Sequence, residues 1–204
     1  MPALVSRRIF LLSPAHAGGV RAQLLLKPSA RFPLARQFQG KGLPLADVFA
    51  FASGLYFRGK ITYARRFASN PGDVIRVITS NAGLLDPALV VGPADLRAFG
   101  STDLDAADPG YHRPLRRHAR MLARDGSPDT QVVLLGSIAT PKYRDVLVDV
   151  FGARLLFPLD FVGRGDMSRG ALLLRAAEAG RELAYASLQQ APLTGKRAAR
   201  VAPP

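Results

Sequence analysis

The chain has 204 residues, 28 Lys+Arg against 15 Asp+Glu for a formal net charge of +13, and no cysteine. A chain of this length buries roughly 70% of the surface it exposes when unfolded, and 48% hydrophobic with 21% charged residues is globular rather than disordered usage. The absence of cysteine excludes a disulfide partner, a thiolate nucleophile and Cys-ligated metals, and the three histidines show no His-x-x-x-His spacing. Neither metal nor cofactor is expected.

In chain order, residues 1–13 place Arg7 and Arg8 before the apolar run Ile9 to Leu12. That run is too short for a secretory core of about 7–15 residues or a membrane span of about 20. It reads as the first strand of a cytoplasmic protein with no membrane attachment. Four short apolar runs have the pattern of strands buried on both faces: residues 8–13, 74–79, 131–135 and 154–157. Helical stretches alternate with them, at 45–56 and 60–68, then 112–124, 141–151 and 167–179. A last edge strand falls at 182–188. The alternation predicts an α/β fold, a three-layer sandwich around a mostly parallel central sheet of about four or five strands. Residues 1–189 form the single domain, and 190–204, with Lys196, Arg197, Arg200 and Pro203-Pro204, form a basic tail of low order.

Ligands of open α/β sheets bind outside the carboxyl ends of the strands. Here those ends carry small and hydroxyl residues: 13–19 with Ser13, His16, Gly18 and Gly19, 80–85 with Asn81, 136–140 with Ser137, and 158–170. Small side chains let a backbone approach a ligand closely. The stretch 162–170 holds Arg164, Asp166, Ser168 and Arg169 among three glycines, ahead of an apolar helix. Asp166 or Ser168 reads as the helix N-cap, and free amides beside two arginines suit an anion. An arginine paired to a capping aspartate that merely closes a loop accounts for the same residues equally well. The 13–19 loop lacks the Gly-Lys-Ser/Thr of a phosphate loop and the third glycine of a dinucleotide fingerprint.

Three segments carry a family resemblance. Ala52-Ser53-Gly54-Leu55-Tyr56-Phe57-Arg58-Gly59-Lys60 with Tyr63-Ala64, then Ile78-Thr79-Ser80-Asn81-Ala82-Gly83-Leu84-Leu85-Asp86-Pro87, then Val133-Leu134-Leu135-Gly136-Ser137 with Lys142-Tyr143, follow one another as in a group of poorly characterised bacterial α/β domains. Asn81 stands where those domains carry a basic residue. They look similar to the accessory domain of archaeosine-type tRNA-modifying enzymes and to the uracil-DNA glycosylase-like fold. The resemblance implies the fold and a nucleic-acid context.

Three functional classes remain open. One is a protein that binds DNA or RNA and accepts a nucleobase at the strand ends, with N-glycosidic chemistry carried by Asp160, Asp166 and His16. Base or phosphate contacts would then come from Ser13, Gly18, Gly19, Tyr56, Arg58, Asn81, Ser137, Arg164, Ser168 and Arg169. Tyr56 or Phe161 would stack on the base. The second is a nucleic-acid-binding module without turnover. The third is a nucleotide-binding regulatory protein in which Gly18, Gly19 and Arg169 hold a phosphate. Charge favours a nucleic-acid partner: residues 1–60 hold nine Lys+Arg against Asp47 alone, while residues 101–150 are balanced at seven of each sign. The stretch 19–42 interleaves cations with Phe32 and Phe38, as a nucleic-acid-contacting arm does. On 112–124 the arginines recur at helical spacing with Asp103, Asp105 and Asp108 just upstream, which predicts a solvated, partly salt-bridged helix rather than a binding ridge.

Overall fold

The computed structural model describes residues 7–68, 70, 73–101, 108–138 and 141–190. Its centre is strand β1 (Arg8–Leu12), whose four apolar side chains are all fully buried. β1 pairs in parallel with β3 (Val74–Ile78) on one side, Ile9 opposite Val74 and Leu12 opposite Val77. On the other side it pairs in parallel with β6 (Gln131–Leu135), Arg8 opposite Gln131 and Leu12 opposite Leu135. β7 (Leu155–Pro158) extends the parallel set beyond β6. Two antiparallel strands close the edges, β4 (Leu84–Leu85) on β3 and β8 (Tyr185–Ser187) on β7. The sheet therefore has six strands in the order β4-β3-β1-β6-β7-β8, not four or five. The short β4 escaped notice because two residues carry no periodicity. A separate antiparallel pair joins β2 (Leu43–Pro44) to β5 (Val90–Val91).

Successive β1 side chains point to opposite faces of the sheet, and the packing follows. Phe10 and Leu12 belong to one buried cluster with Ala22, Phe38, Phe49, Phe57, Tyr63 and Leu173. Ile9 and Leu11 belong to another with Tyr111, Leu115, Tyr143, Val146 and Leu147. The helices that supply the first cluster are α1 (Val20–Leu26), α2 (Pro33–Lys41), α3 (Leu45–Ser53), α4 (Leu55–Phe67), α5 (Pro93–Ser101) and α8 (Asp166–Glu178). The second is supplied by α6 (Pro109–Asp125) and α7 (Pro141–Phe151).

Several sequence expectations change here. Residues 19–42 are not an arm: they fold into α1 and α2, Phe38 is fully buried, and Phe32 stacks on Phe51 at 5.6 Å. The predicted 45–56 helix breaks at Gly54, whose φ of +63° is open to glycine at little cost, so α4 starts at Leu55. Neither Asp166 nor Ser168 caps α8; the N-cap is Gly165, with no side-chain cap bond. Asp108 does cap α6, accepting from the Gly110 amide at 2.7 Å. Asp103, Asp105 and the tail beyond Gln190 lie outside the described residues. Among the described residues no helix is long and apolar enough to cross a membrane.

α4 and α8 cross through two glycines. A Cβ on Gly59 would stand 2.6 Å from the Gly170 carbonyl oxygen, and a Cβ on Gly170 would stand 2.8 Å from Leu55 O and Tyr56 Cα. Only backbone against backbone fits there, and this close approach delivers Tyr56 and Lys60 from one helix and Arg169 from the other to the sheet.

Candidate functional site

β1 has its hydrogen-bonded neighbours on two sides, and the chain crosses from one side to the other after β3. The crevice beside the carboxyl end of β1, next to β6, is thus the sheet's switch point. Ser13 sits there, its amide donating to Leu135 O at 3.1 Å. Facing it is Lys60, a lysine with no solvent exposure. Its Nζ donates to Ser13 O at 2.6 Å and to Ser13 Oγ at 2.8 Å, and lies 4.4 Å from the centre of the Tyr56 ring and 4.9 Å from that of Phe57. Burial disfavours its ammonium form and brings its pKa down to about 7, with the charge of Asp166 opposing the shift. From the β6 side, Gly136 makes room for the contact: a Cβ there would meet Tyr143 Oη at 2.7 Å and Ser13 Cβ at 2.8 Å. The Tyr143 hydroxyl donates to Ser137 O at 2.8 Å, and burial raises its pKa to about 12, the bonds to Ser13 and Ser137 opposing.

Arg169 closes the cluster from α8. It is buried, its Nε and Nη2 both donate to Phe161 O, and its Nη1 lies 3.5 Å from the largely exposed carboxylate of Asp166. Among the described residues, the buried Tyr56 hydroxyl has no hydrogen-bond partner. Burial raises its pKa, and the Arg169 guanidinium pulls it the other way. Tyr56 and Phe161 meet edge to face at 6.5 Å, so both rings spend their faces inside the protein rather than offering a platform to a base.

Beside this cluster a cavity of about 170 Å³ opens, lined by Pro14, Ala15, His16, Ala17 and Gly18 after β1, Ser80 after β3, Phe49, Phe99 and Gly100, and Lys142 of α7. Loops after two parallel strands, β1 and β3, thus meet the first turn of α7, the helix that follows β6. Two aromatic side chains, an imidazole, a hydroxyl and an ammonium share the space. The Ser80 hydroxyl donates to Phe99 O at 2.7 Å and fixes that wall. The volume equals five or six waters at about 30 Å³ each and lies below the roughly 300 Å³ at which drug-sized pockets begin. It suits one planar ring. A wider open groove of about 690 Å³, lined by Val20, Leu24, Pro28 and Leu96 among others, adjoins the cavity at Gly100.

The other expected site residues are dispersed. Gly19 starts α1, packed on His16. Arg58 is exposed on α4, and Asn81 is half-buried in the turn that supplies Ser80. Arg164 donates to Ser168 Oγ at 3.2 Å. Asp160 is exposed in a different groove, with Arg175, Arg181 and Glu182. Of the three acid–base candidates, His16 lines the cavity and the two aspartates do not.

Lys60 was missed. It occupies an apolar position of α4, with Tyr56, Phe57, Ile61 and Ala64 at helical spacing and all buried. A lone lysine inside an apolar stripe is the signal that finds it. Lys142 reads as a solvated first-turn lysine, yet it lines the cavity wall. No family model, curated protein or solved structure matches the chain.

Proposed function

We propose that the protein associates with nucleic acid and receives a single nucleobase in the cavity at the carboxyl ends of β1, β3 and β6. The observation that carries this reading is the lining of that cavity: Phe49 and Phe99 with His16, Ser80 and Lys142, in a volume of about 170 Å³. Phe49 and Phe99, both buried and edge to face with each other at 5.9 Å, give the cavity an apolar floor rather than a stacking platform, and the polar groups can meet the donors and acceptors on the edges of a base. The net charge of +13 supplies the attraction to a phosphate backbone. The two clusters on opposite faces of the sheet fit a three-layer sandwich, in which such a crevice is the ordinary ligand site.

Binding without turnover is favoured over glycosidic cleavage. Asp160 belongs to another groove and Asp166 lies outside the cavity lining, so among the described residues no carboxylate stands beside a base held there. The test pairs two measurements. Free nucleobases and nucleosides are screened by thermal shift, and DNA and RNA oligomers carrying 2-aminopurine are titrated with protein. The expected result is a raised Tm with at least one base and a rise in 2-aminopurine fluorescence as the base leaves the stack. Flat responses in both overturn the reading. Free base released from uracil-, hypoxanthine- or alkylated-base duplexes would replace binding with glycosidase activity.

A further inference from the structure

Helix α6 buries Tyr111, Leu115 and Ala119 against the sheet. On the opposite side it exposes Arg113, Arg117, Arg120 and Arg124. The steps of four, three and four residues keep these four on one stripe. At 1.5 Å per residue the stripe runs about 16 Å.

A solvated helix laced with salt bridges would have those arginines paired. Among the described residues, the five ion pairs engage Arg8, Arg76, Arg116, Arg144 and Arg169, and none of the four stripe arginines. The carboxylates nearest by sequence on the neighbouring α7 are already held. Asp149 is bonded by Arg116, which projects beside the stripe, and Asp145 by Arg144 at 2.7 Å. Among the described residues, the helix therefore presents a row of guanidinium groups that no carboxylate engages, although the charge balance of residues 101–150 conceals it in the sequence.

We propose that this stripe is a docking ridge for the phosphate backbone of duplex DNA, an assignment that rests on the nucleic-acid reading above. Charge complementarity carries the first step. Arginine offers only donors, in a fork that matches phosphate oxygens, and duplex DNA carries one phosphate charge per about 1.7 Å of its axis, both strands counted, so about 16 Å of ridge lies within reach of enough phosphates to engage its four arginines. Side-chain chemistry carries the second step. Single strands are held by stacking on exposed aromatic rings, and the one tyrosine of α6, Tyr111, is buried on the other face. RNA duplexes are held largely through their 2′-hydroxyls, to which α6 offers arginine donors but no Ser, Thr, Asn or Gln that could also accept the hydroxyl proton. The ridge also starts at the right end of the sheet. Gly83, in the turn that brings Ser80 to the cavity, packs so tightly on α6 that a Cβ there would stand 2.6 Å from Pro114 O, next to Arg113.

The test is salt-dependent binding of the full chain to a DNA duplex, with its single strand and an RNA duplex of the same sequence as further arms. The ridge variant is Arg113→Gln, Arg117→Gln, Arg120→Gln and Arg124→Gln together, which keeps good helix formers in α6. A control variant removes the same charge elsewhere, through Arg31→Gln, Arg36→Gln, Arg65→Gln and Arg66→Gln. Thermal melts confirm that each is folded. At about 0.9 counterions per phosphate contact, the ridge variant should lose three to four from the magnitude of the log–log salt slope and at least about 100-fold in affinity at 0.1 M salt. The control should lose clearly less, and the wild-type chain should prefer the DNA duplex over both other arms. The ridge variant should keep the thermal shift with a free nucleobase, which separates this surface from the cavity. Unchanged slope and affinity, an equal loss in the control, or tighter binding of single strand or RNA overturns the ridge while leaving base binding to stand or fall on its own assay. Failure of the wild-type chain to bind any of the three at low salt overturns the ridge and the nucleic-acid reading together.

Discussion

Gly59 and Gly170 bring two helices into backbone contact: the Cβ that Gly59 lacks would stand 2.6 Å from the carbonyl oxygen of Gly170. The two buried cations of the site hang from this crossing. Lys60 follows Gly59 and Arg169 precedes Gly170. Gly170→Ala pushes a methyl group into Leu55 O and Tyr56 Cα, which are backbone atoms and cannot rotate away. The variant should lose about 2–3 kcal/mol by urea denaturation, the upper range for overpacking. Gly40, inside α2 with nothing near its missing Cβ, is the contrast: Gly40→Ala should gain about 0.5–1 kcal/mol through helix propensity alone.

Lys60 makes stability depend on pH in a direction opposite to that of a paired lysine. Burial lowers its folded pKa to about 7, well below the value near 10.4 of an unfolded lysine. Between these values the unfolded chain binds the proton and the folded chain does not, so stability attributable to this group rises with pH from about 7 to 10. Below about 7 both states are protonated and the cost of burying the charge is present in full. Lys60→Met should remove that rise. The check is urea unfolding at several pH values on both proteins, comparing slopes. The slope is the safer reading, because the methionine also leaves Ser13 O without its Lys60 donor, a loss of about 1–3 kcal/mol that does not vary with pH.

The parallel strands were legible because they are continuous apolar runs flanked by small residues. β1 and β3 fall within one residue of the expected bounds, and β6 coincides with them. What the sequence concealed was long-range. The two-residue β4 exists only through its pairing with β3. The cations of 19–42 resemble an arm, but Ala35 and Phe38 recur on one face of α2 and are buried. The spacing predicts that the strand-end loops meet, and those after β1 and β3 do, but the partner from the β6 side is Lys142 rather than Ser137, and of the 162–170 stretch only Arg169 and Gly170 are buried, against the cluster and not the cavity. Spacing along a chain does not say on which side of a strand a loop will fold back.

The cavity makes a prediction that separates function from fold. The His16 and Lys142 residues are exposed, so His16→Ala and Lys142→Gln should leave stability within about 0.5 kcal/mol. Each removes one hydrogen-bonding group facing the proposed base. Affinity for that base should fall about tenfold per variant, the equivalent of about 1.4 kcal/mol. Isothermal titration beside a thermal melt checks both halves. A loss of affinity accompanied by an equal loss of stability would place these side chains in the scaffold instead.

The far end of the sheet is held by a chain of side chains rather than by strand length. β8 has three residues, and its Tyr185 hydroxyl lies 2.6 Å from that of Tyr63 while donating to Glu182 Oε1 at 2.8 Å. The Tyr63 hydroxyl also accepts from the Leu183 amide at 2.9 Å, and Glu182 is bonded in turn by Arg8 at the start of β1. Tyr63→Phe deletes the hydroxyl that two of these groups use while keeping the ring in its contact with Phe67. The Leu183 amide is left half-buried without its acceptor, a cost of about 1–3 kcal/mol. Loss of that anchor should appear locally first. Amide exchange across 183–187 should quicken well before that of β1 and β6, whose protection reports global unfolding. Uniform acceleration across all the strands would show instead that β8 and the central sheet open as one unit.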